Sequence, residues 1–121
     1  MGTINTFRDL VAWQKAMELT RQIYRWTVNM PEAERFGLTN QMRRAAVSVP
    51  SNIAEGYARQ SLLDYIKFLK IARGSLAELE TQAELVESMG MLKPRPTIQD
   101  LLREVDRIIQ ALIMSLEKKK K

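Results

Sequence analysis

At 121 residues the chain is the size of one domain, long enough to bury a core without disulfide or metal staples. It has no cysteine and no histidine, which removes thiolate chemistry, thiolate zinc sites, the commonest general base and the commonest transition-metal ligand. Of the net charge of +5, four charges belong to Lys118–Lys121, leaving only +1 for the body.

A lysine run after a helix is either a solubilising end that matches the helix dipole or a contact for an anionic partner. No apolar run approaches the ~18 residues of a membrane span, so no membrane role is expected. The opening "MGTINTFRDL" carries no secretory apolar region, which makes the cytoplasm the expected compartment.

Glycine and proline divide the chain into four helical segments, with no alternation at period two. The first covers about residues 7–29 and stops before Pro31. Its Ala12, Ala16, Leu19, Ile23, Trp26 and Met30 follow a four-three spacing, and Leu10, Trp13, Met17 and Tyr24 form a second stripe beside it. Two stripes exceed what one packing face requires. Either the helix is wedged between two neighbours of its own chain, or Trp13 and Tyr24 belong to a contact with another subunit.

The second helix, about 39–58, has Thr39 as its expected N-cap and Met42, Ala45, Ala46, Val49, Ile53 and Tyr57 facing inward. Pro50 interrupts it, removing one backbone donor and crowding the Ala46 carbonyl. Ser51 and Asn52 can satisfy the freed groups, or recap the helix together with Glu55, so a continuous helix kinked at Pro50 is expected. The polar group Ser48, Ser51, Asn52 and Glu55 could also form a small binding site, structural punctuation being the alternative.

The third helix, about 61–89, opens with a Ser61–Asp64 cap and carries the seam Tyr65, Leu69, Ala72, Leu76, Leu79, Ala83 and Val86 up to Gly90. Gly74 lies in its middle, where glycine costs roughly 1 kcal/mol against alanine. A tight turn at 58–61 would bring Ala45–Ala46 level with Gly74–Ser75, so Gly74 is expected to be a packing residue. The fourth helix, about 97–117, has Thr97 capped by Asp100 and one clean stripe of Ile98, Leu101, Val105, Ile108, Leu112 and Leu116. The basic tail 118–121 follows. Short connections predict an all-α, antiparallel, up-down-up-down four-helix bundle in a single domain, 1–121.

Helix three is charged against its dipole. Lys67, Lys70 and Arg73 occupy the first half, and Glu78, Glu80, Glu84 and Glu87 the second. The same level argument puts Arg43 and Arg44 near Glu78 and Glu80, predicting an Arg–Glu cluster inside the chain or across a subunit boundary. Lys67, Lys70 and Arg73, with Arg59, could form a basic strip for phosphates, or merely a solvated face. Catalytic chemistry has no visible basis: no carboxylate pair stands with a base and nucleophile, and there is no glycine-rich phosphate loop or zinc spacing. A histidine-free chain cannot supply the Glu-x-x-His pairs of di-iron bundles. No enzyme, cofactor or metal site is expected.

At "FGLTNQMRRAAVSVPSNIAEGYAR" and "FLKIARGSLAELETQ" the chain closely resembles the small four-helix-bundle proteins of the 23S rRNA intervening-sequence family. The resemblance runs from about Phe7 to Leu116. It rests on Leu10, Trp13, Ala16, Tyr24, Phe36–Thr39, Gln41, Arg43–Ala46, the run Pro50, Ser51, Asn52, Ile53, Ala54, Glu55 and Gly56, Gly74–Ser75 and Glu78–Thr81. Changes such as Val49 are conservative. The resemblance implies a four-helix bundle, assembly into ring-like pentamers and no known enzymatic activity. A more distant similarity, to the accessory variability determinant of diversity-generating retroelements, implies a pentameric partner of a reverse transcriptase and its RNA. The expected function is a homo-oligomeric binding or accessory module contacting RNA or DNA through Arg43, Arg44, Arg59, Lys67, Lys70 and Arg73, with the lysine tail assisting. The alternative is a structural or protein–protein interaction module with no nucleic-acid role.

Overall fold

In the computed structural model, which describes residues 3–120, four helices follow one another: α1 (Val11–Thr27), α2 (Leu38–Ala58), α3 (Leu62–Ser88) and α4 (Pro96–Glu117). Met1, Gly2 and Lys121, the last residue of the basic tail, lie outside the described residues. There is no strand among the described residues. Short 3-10 turns at Phe7–Asp9 and Glu32–Glu34 precede α1 and α2.

Local chemistry sets each start and stop. The segment before α1 is a separate turn, because Thr6 Oγ1 accepts from the Arg8 N–H while the Asp9 carboxylate accepts from Asn5 and Thr6. Leu10 is then extended, and α1 begins only at Val11. Thr39 does not cap α2. The helix starts one residue earlier, the Glu34 carboxylate accepts from the Leu38 N–H at 3.2 Å, and the buried Thr39 hydroxyl has no partner. Ser61 does cap α3, accepting from the Asp64 N–H at 3.3 Å. At its far end Gly90, at φ +74°, lets Met91 N–H reach Val86 O and its own N–H reach Glu87 O, a Schellman closure. Thr97 does not cap α4 either. Pro96 occupies the first turn, where its missing N–H is no loss, and Asp100 pairs with Arg103 at 2.8 Å instead.

Each helix packs on its chain neighbours, and α4 closes back onto α1, so the buried residues form one continuous core. The polar contacts between helices run in opposite chain directions. Thr20 meets Ala46 and Thr27 meets Arg43 between α1 and α2; Ser48 meets Ser75 while Gly56 meets Tyr65 and Phe68 between α2 and α3; Arg73 meets Asp106 and Glu87 meets Gln99 between α3 and α4.

The glycine that carries close packing is Gly56, not Gly74. A Cβ at Gly56 would stand 2.8 Å from Phe68 Cβ and 3.3 Å from the Tyr65 carbonyl, both parts of α3's first turns. A Cβ at Gly74 would meet nothing within 4 Å, because the residue is exposed. Ser75, one residue on and about 100° further round the helix, is the one that faces α2.

α2 runs without a break through Pro50. The proline has no N–H for the Ala46 carbonyl four residues before it, and Ala46 is fully buried. The Thr20 hydroxyl of α1 reaches that carbonyl at 3.0 Å, sharing its one proton with the Ala16 carbonyl of its own helix at 2.9 Å. Asn52 Nδ2 donates to the Ser48 carbonyl and hydroxyl at 2.8 and 2.9 Å and Glu55 pairs with Arg59, so of the polar group near Pro50 only the exposed Ser51 faces solvent unengaged.

Thr20→Val is expected to destabilise the protein by about 1–3 kcal/mol, since it leaves a buried acceptor unpaired. In a Pro50→Ala background, where the substituted residue supplies its own N–H, the same change is expected to cost at least about 1 kcal/mol less; equal costs in chemical denaturation would refute this pairing. Gly56→Ala is expected to lose about 1–3 kcal/mol through overpacking, whereas Gly74→Ala, whose Cβ meets nothing inside the chain, gains about 1 kcal/mol in the monomer.

Candidate nucleic-acid interface

The six basic residues singled out by the sequence do not form one strip. Arg43 is turned toward α1. Its Nε donates to Thr27 Oγ1 at 2.9 Å, its Nη2 to the Tyr24 carbonyl at 3.3 Å, and its guanidinium lies 4.6 Å above the Tyr24 ring. A cation there meets the carbonyl end of α1, where the helix dipole favours it. Arg44, about 100° further round α2, faces α3 instead. It lines a groove of about 310 Å³ with Gln41, Ala45, Ser48, Ser75 and Glu78, without an ion pair to Glu78.

The expected cluster of Arg43 and Arg44 with Glu78 and Glu80 is therefore not made. Residues 78 and 80 are roughly 200° apart around a helix, so they cannot both face α2. Glu80 points toward α4, where it shares a groove of about 280 Å³ with Glu84, Glu87, Gln99 and Arg103. Gln99 donates to Glu87 there at 2.9 Å.

Three more of the cations have acidic partners. Arg59 pairs with Glu55 at 3.0 Å and stacks 4.9 Å above the Phe68 ring. Arg73 pairs with Asp106 at 2.8 Å, and Lys70 with Glu117 at 3.3 Å, both across to α4. Sequence reasoning named the cations but not Asp106 or Glu117, because the register of α4 on α3 is set by packing rather than by any local pattern. Such half-exposed pairs contribute about 0–1 kcal/mol each, so a phosphate can compete for the cation.

Lys67 has no carboxylate within 4.0 Å among the described residues; its ammonium lies 5.8 Å from the Phe68 ring. The fold brings Lys67 and Lys70 together with Lys120 of the tail, around a groove of about 500 Å³ floored by Leu63, Ile66 and Ile71. Glu117 lies among these lysines, and hydrogen bonds from Lys120 and then Lys70 hold its carboxyl below the usual carboxylate range. This end of the bundle, where α3 begins and α4 stops, thus gathers Lys67 with the two lysines that share Glu117.

The second stripe of α1 is spent largely inside the chain. Leu10 and Trp13 pack against the core, with Trp13 edge-on to Phe7 at 5.3 Å, while Tyr24 is covered in part by Arg43. No group of His, Cys, Asp or Glu able to hold a metal ion occurs among the described residues. Burial, and then Tyr57, push the Tyr65 hydroxyl up to about 12, so it remains protonated and is no base at ordinary pH. Among the described residues no helix is long and apolar enough to cross a membrane.

Comparison with known proteins agrees with this architecture. No curated protein matches the chain. A crystal structure from Bacteroides thetaiotaomicron, described as a protein with unknown function from the S23 ribosomal protein family, is similar to it with 27% identity and a TM-score of 0.76, covering 85% of this chain and 98% of that one. Residues 8–114 match the family described as 23S rRNA-intervening sequence protein. A match over that length, on an all-helical chain of the same fold, means that the chain belongs to the 23S rRNA-intervening sequence protein family.

Proposed function

We propose that the protein is a non-enzymatic, cytoplasmic accessory module that self-associates and holds RNA or DNA phosphates on the lysine end of the bundle. The observation that carries this reading is the convergence of Lys67 and Lys70 with Lys120 around one groove, against a single local carboxylate, Glu117. Lys118 and Lys119 extend the same surface. Of the cations first considered, Lys67 and Lys70 stay in the interface; Arg43, Arg59 and Arg73 act within the fold, and Arg44 faces a separate groove. The ring-like pentamer that the sequence resemblance implies is the assembled form of this reading, and the family description makes ribosomal RNA the natural first probe.

A second reading, a protein-interaction module such as a partner of a reverse transcriptase, is favoured by a different observation. Phe36 is 85% exposed and Val28 71% exposed, both near the opposite end of the bundle. Solvent-facing residues of this size suit a protein contact better than a phosphate.

Binding of a structured ribosomal RNA fragment is expected to weaken with salt, with a slope of log affinity on log salt of about −3. Replacing Lys67, Lys118 and Lys119 by Glu together is expected to lower affinity at least about tenfold and flatten that slope, while Arg43→Gln lowers stability but leaves binding by the folded protein unchanged. Absence of binding at low salt, or full binding by the triple variant, would refute the phosphate surface and leave the protein-interaction reading.

A further inference from the structure

α3 carries an exposed glycine that nothing inside the chain explains. Gly74 has open space where its Cβ would be, yet a mid-helix glycine costs roughly 1 kcal/mol against alanine. Around it the solvent face of α3 presents Leu63, Lys67, Lys70, Gly74, Glu78, Thr81 and Leu85, at spacings of four, three, four, four, three and four residues. All seven are exposed, Leu63 by 64% and Leu85 by 44%. The stripe is about 33 Å long at 1.5 Å per residue.

The stripe is its own complement. Leu63 and Leu85 stand eleven residues either side of Gly74, Lys67 and Thr81 seven, and Lys70 and Glu78 four. We infer that a second copy of this chain docks on it, with the two α3 helices antiparallel and crossing at Gly74. A two-fold axis through Gly74 then brings each Leu63 to Leu85 of the second copy, and each Lys70 to Glu78 of the second copy. The absent side chain lets the two backbones approach closely. An antiparallel pair requires opposite charges on the two halves of α3, and Lys70 and Glu78 supply them about Gly74; an unrelated partner gives no reason for equal spacings about one residue.

This rests on the self-association proposed above but not on phosphate binding. The pairing covers Leu63, Lys67 and Lys70, the last also held by Glu117 at 3.3 Å, so the whole groove is open to phosphate in the unpaired chain and only Lys118, Lys119 and Lys120 in the paired one. A two-fold contact is distinct from the head-to-tail contacts that close a ring, so it can join two rings or make a dimer alone.

The chain has no cysteine, so Gly74→Cys would carry the only thiol, placed on the axis and facing its own copy. Mild oxidation of the full chain is expected to give a covalent dimer, while Gln110→Cys, exposed on α4, remains uncoupled. In sedimentation equilibrium, Lys70→Glu and Glu78→Lys are each expected to weaken pairing by about threefold to tenfold, and the two together to restore it, because each new glutamate again faces a lysine across the axis. Self-association without cross-linking at Gly74, or a double variant as weak as the singles, would overturn the α3 pairing and leave the oligomer reading standing. A chain that stays monomeric at high concentration would overturn both.

Discussion

The contact on which the rest of the arrangement depends is the approach of α2 to α3 at Gly56. With no side chain there, the backbone of α2 comes within reach of Tyr65 and Phe68, and the bare turn at Arg59–Gln60 can reverse the chain within a few residues. That approach fixes the register of the two helices. Ser48 then falls on Ser75, hydrogen-bonded at 2.8 Å, and the rotation of α3 follows from it. Once Ser75 faces α2, Gly74 must face solvent and Glu80, Glu84 and Glu87 must face α4.

The same rotation decides what the charges can do. Arg73 and Lys70 point to α4 and find Asp106 and Glu117, while Lys67, a turn from Lys70 on the open side, finds no carboxylate. Arg43 is held at the end of α1 by Thr27 and Tyr24. About half of the body's cations are therefore spent on carboxylates or backbone of the same chain, and Lys67 is the one left over beside Lys70 and the lysine tail. A proline inside a buried helix is tolerated on similar terms: the Ala46 carbonyl it orphans is reached by the Thr20 hydroxyl on the neighbouring helix, shared with Ala16, so Pro50 ties α1 to α2 rather than simply breaking α2.

Much of the fold was legible in the sequence, because helix periodicity and the Ser61 and Gly90 boundary signals are local. The inward stripes of α1 and α3 and the four-helix count needed nothing else. Caps were less legible where a side chain from outside the helix competed, as Glu34 does for α2, or where proline made a cap unnecessary, as in α4. The level argument across the α2–α3 turn placed Ser75 about one turn from its observed partner Ser48, and level alone carries no information on the rotation of α3, which turns Ser75 to α2 and Gly74 to solvent. Candidate site residues fared worse for the same reason. A basic residue is visible in the sequence, but its counter-ion lies 33 residues away for Arg73 and 47 for Lys70, where only packing brings them together.

The central claim is that the end of the bundle where α3 begins and α4 stops is the surface left open to anions. Amide chemical-shift mapping on the isotope-labelled full chain, titrated with a structured RNA, tests it most directly. The account predicts salt-sensitive shifts concentrated at residues 63–71 and 117–120, with little change around Arg43 and Arg44. Shifts centred on the start of α2, or no shifts at low salt, would contradict it.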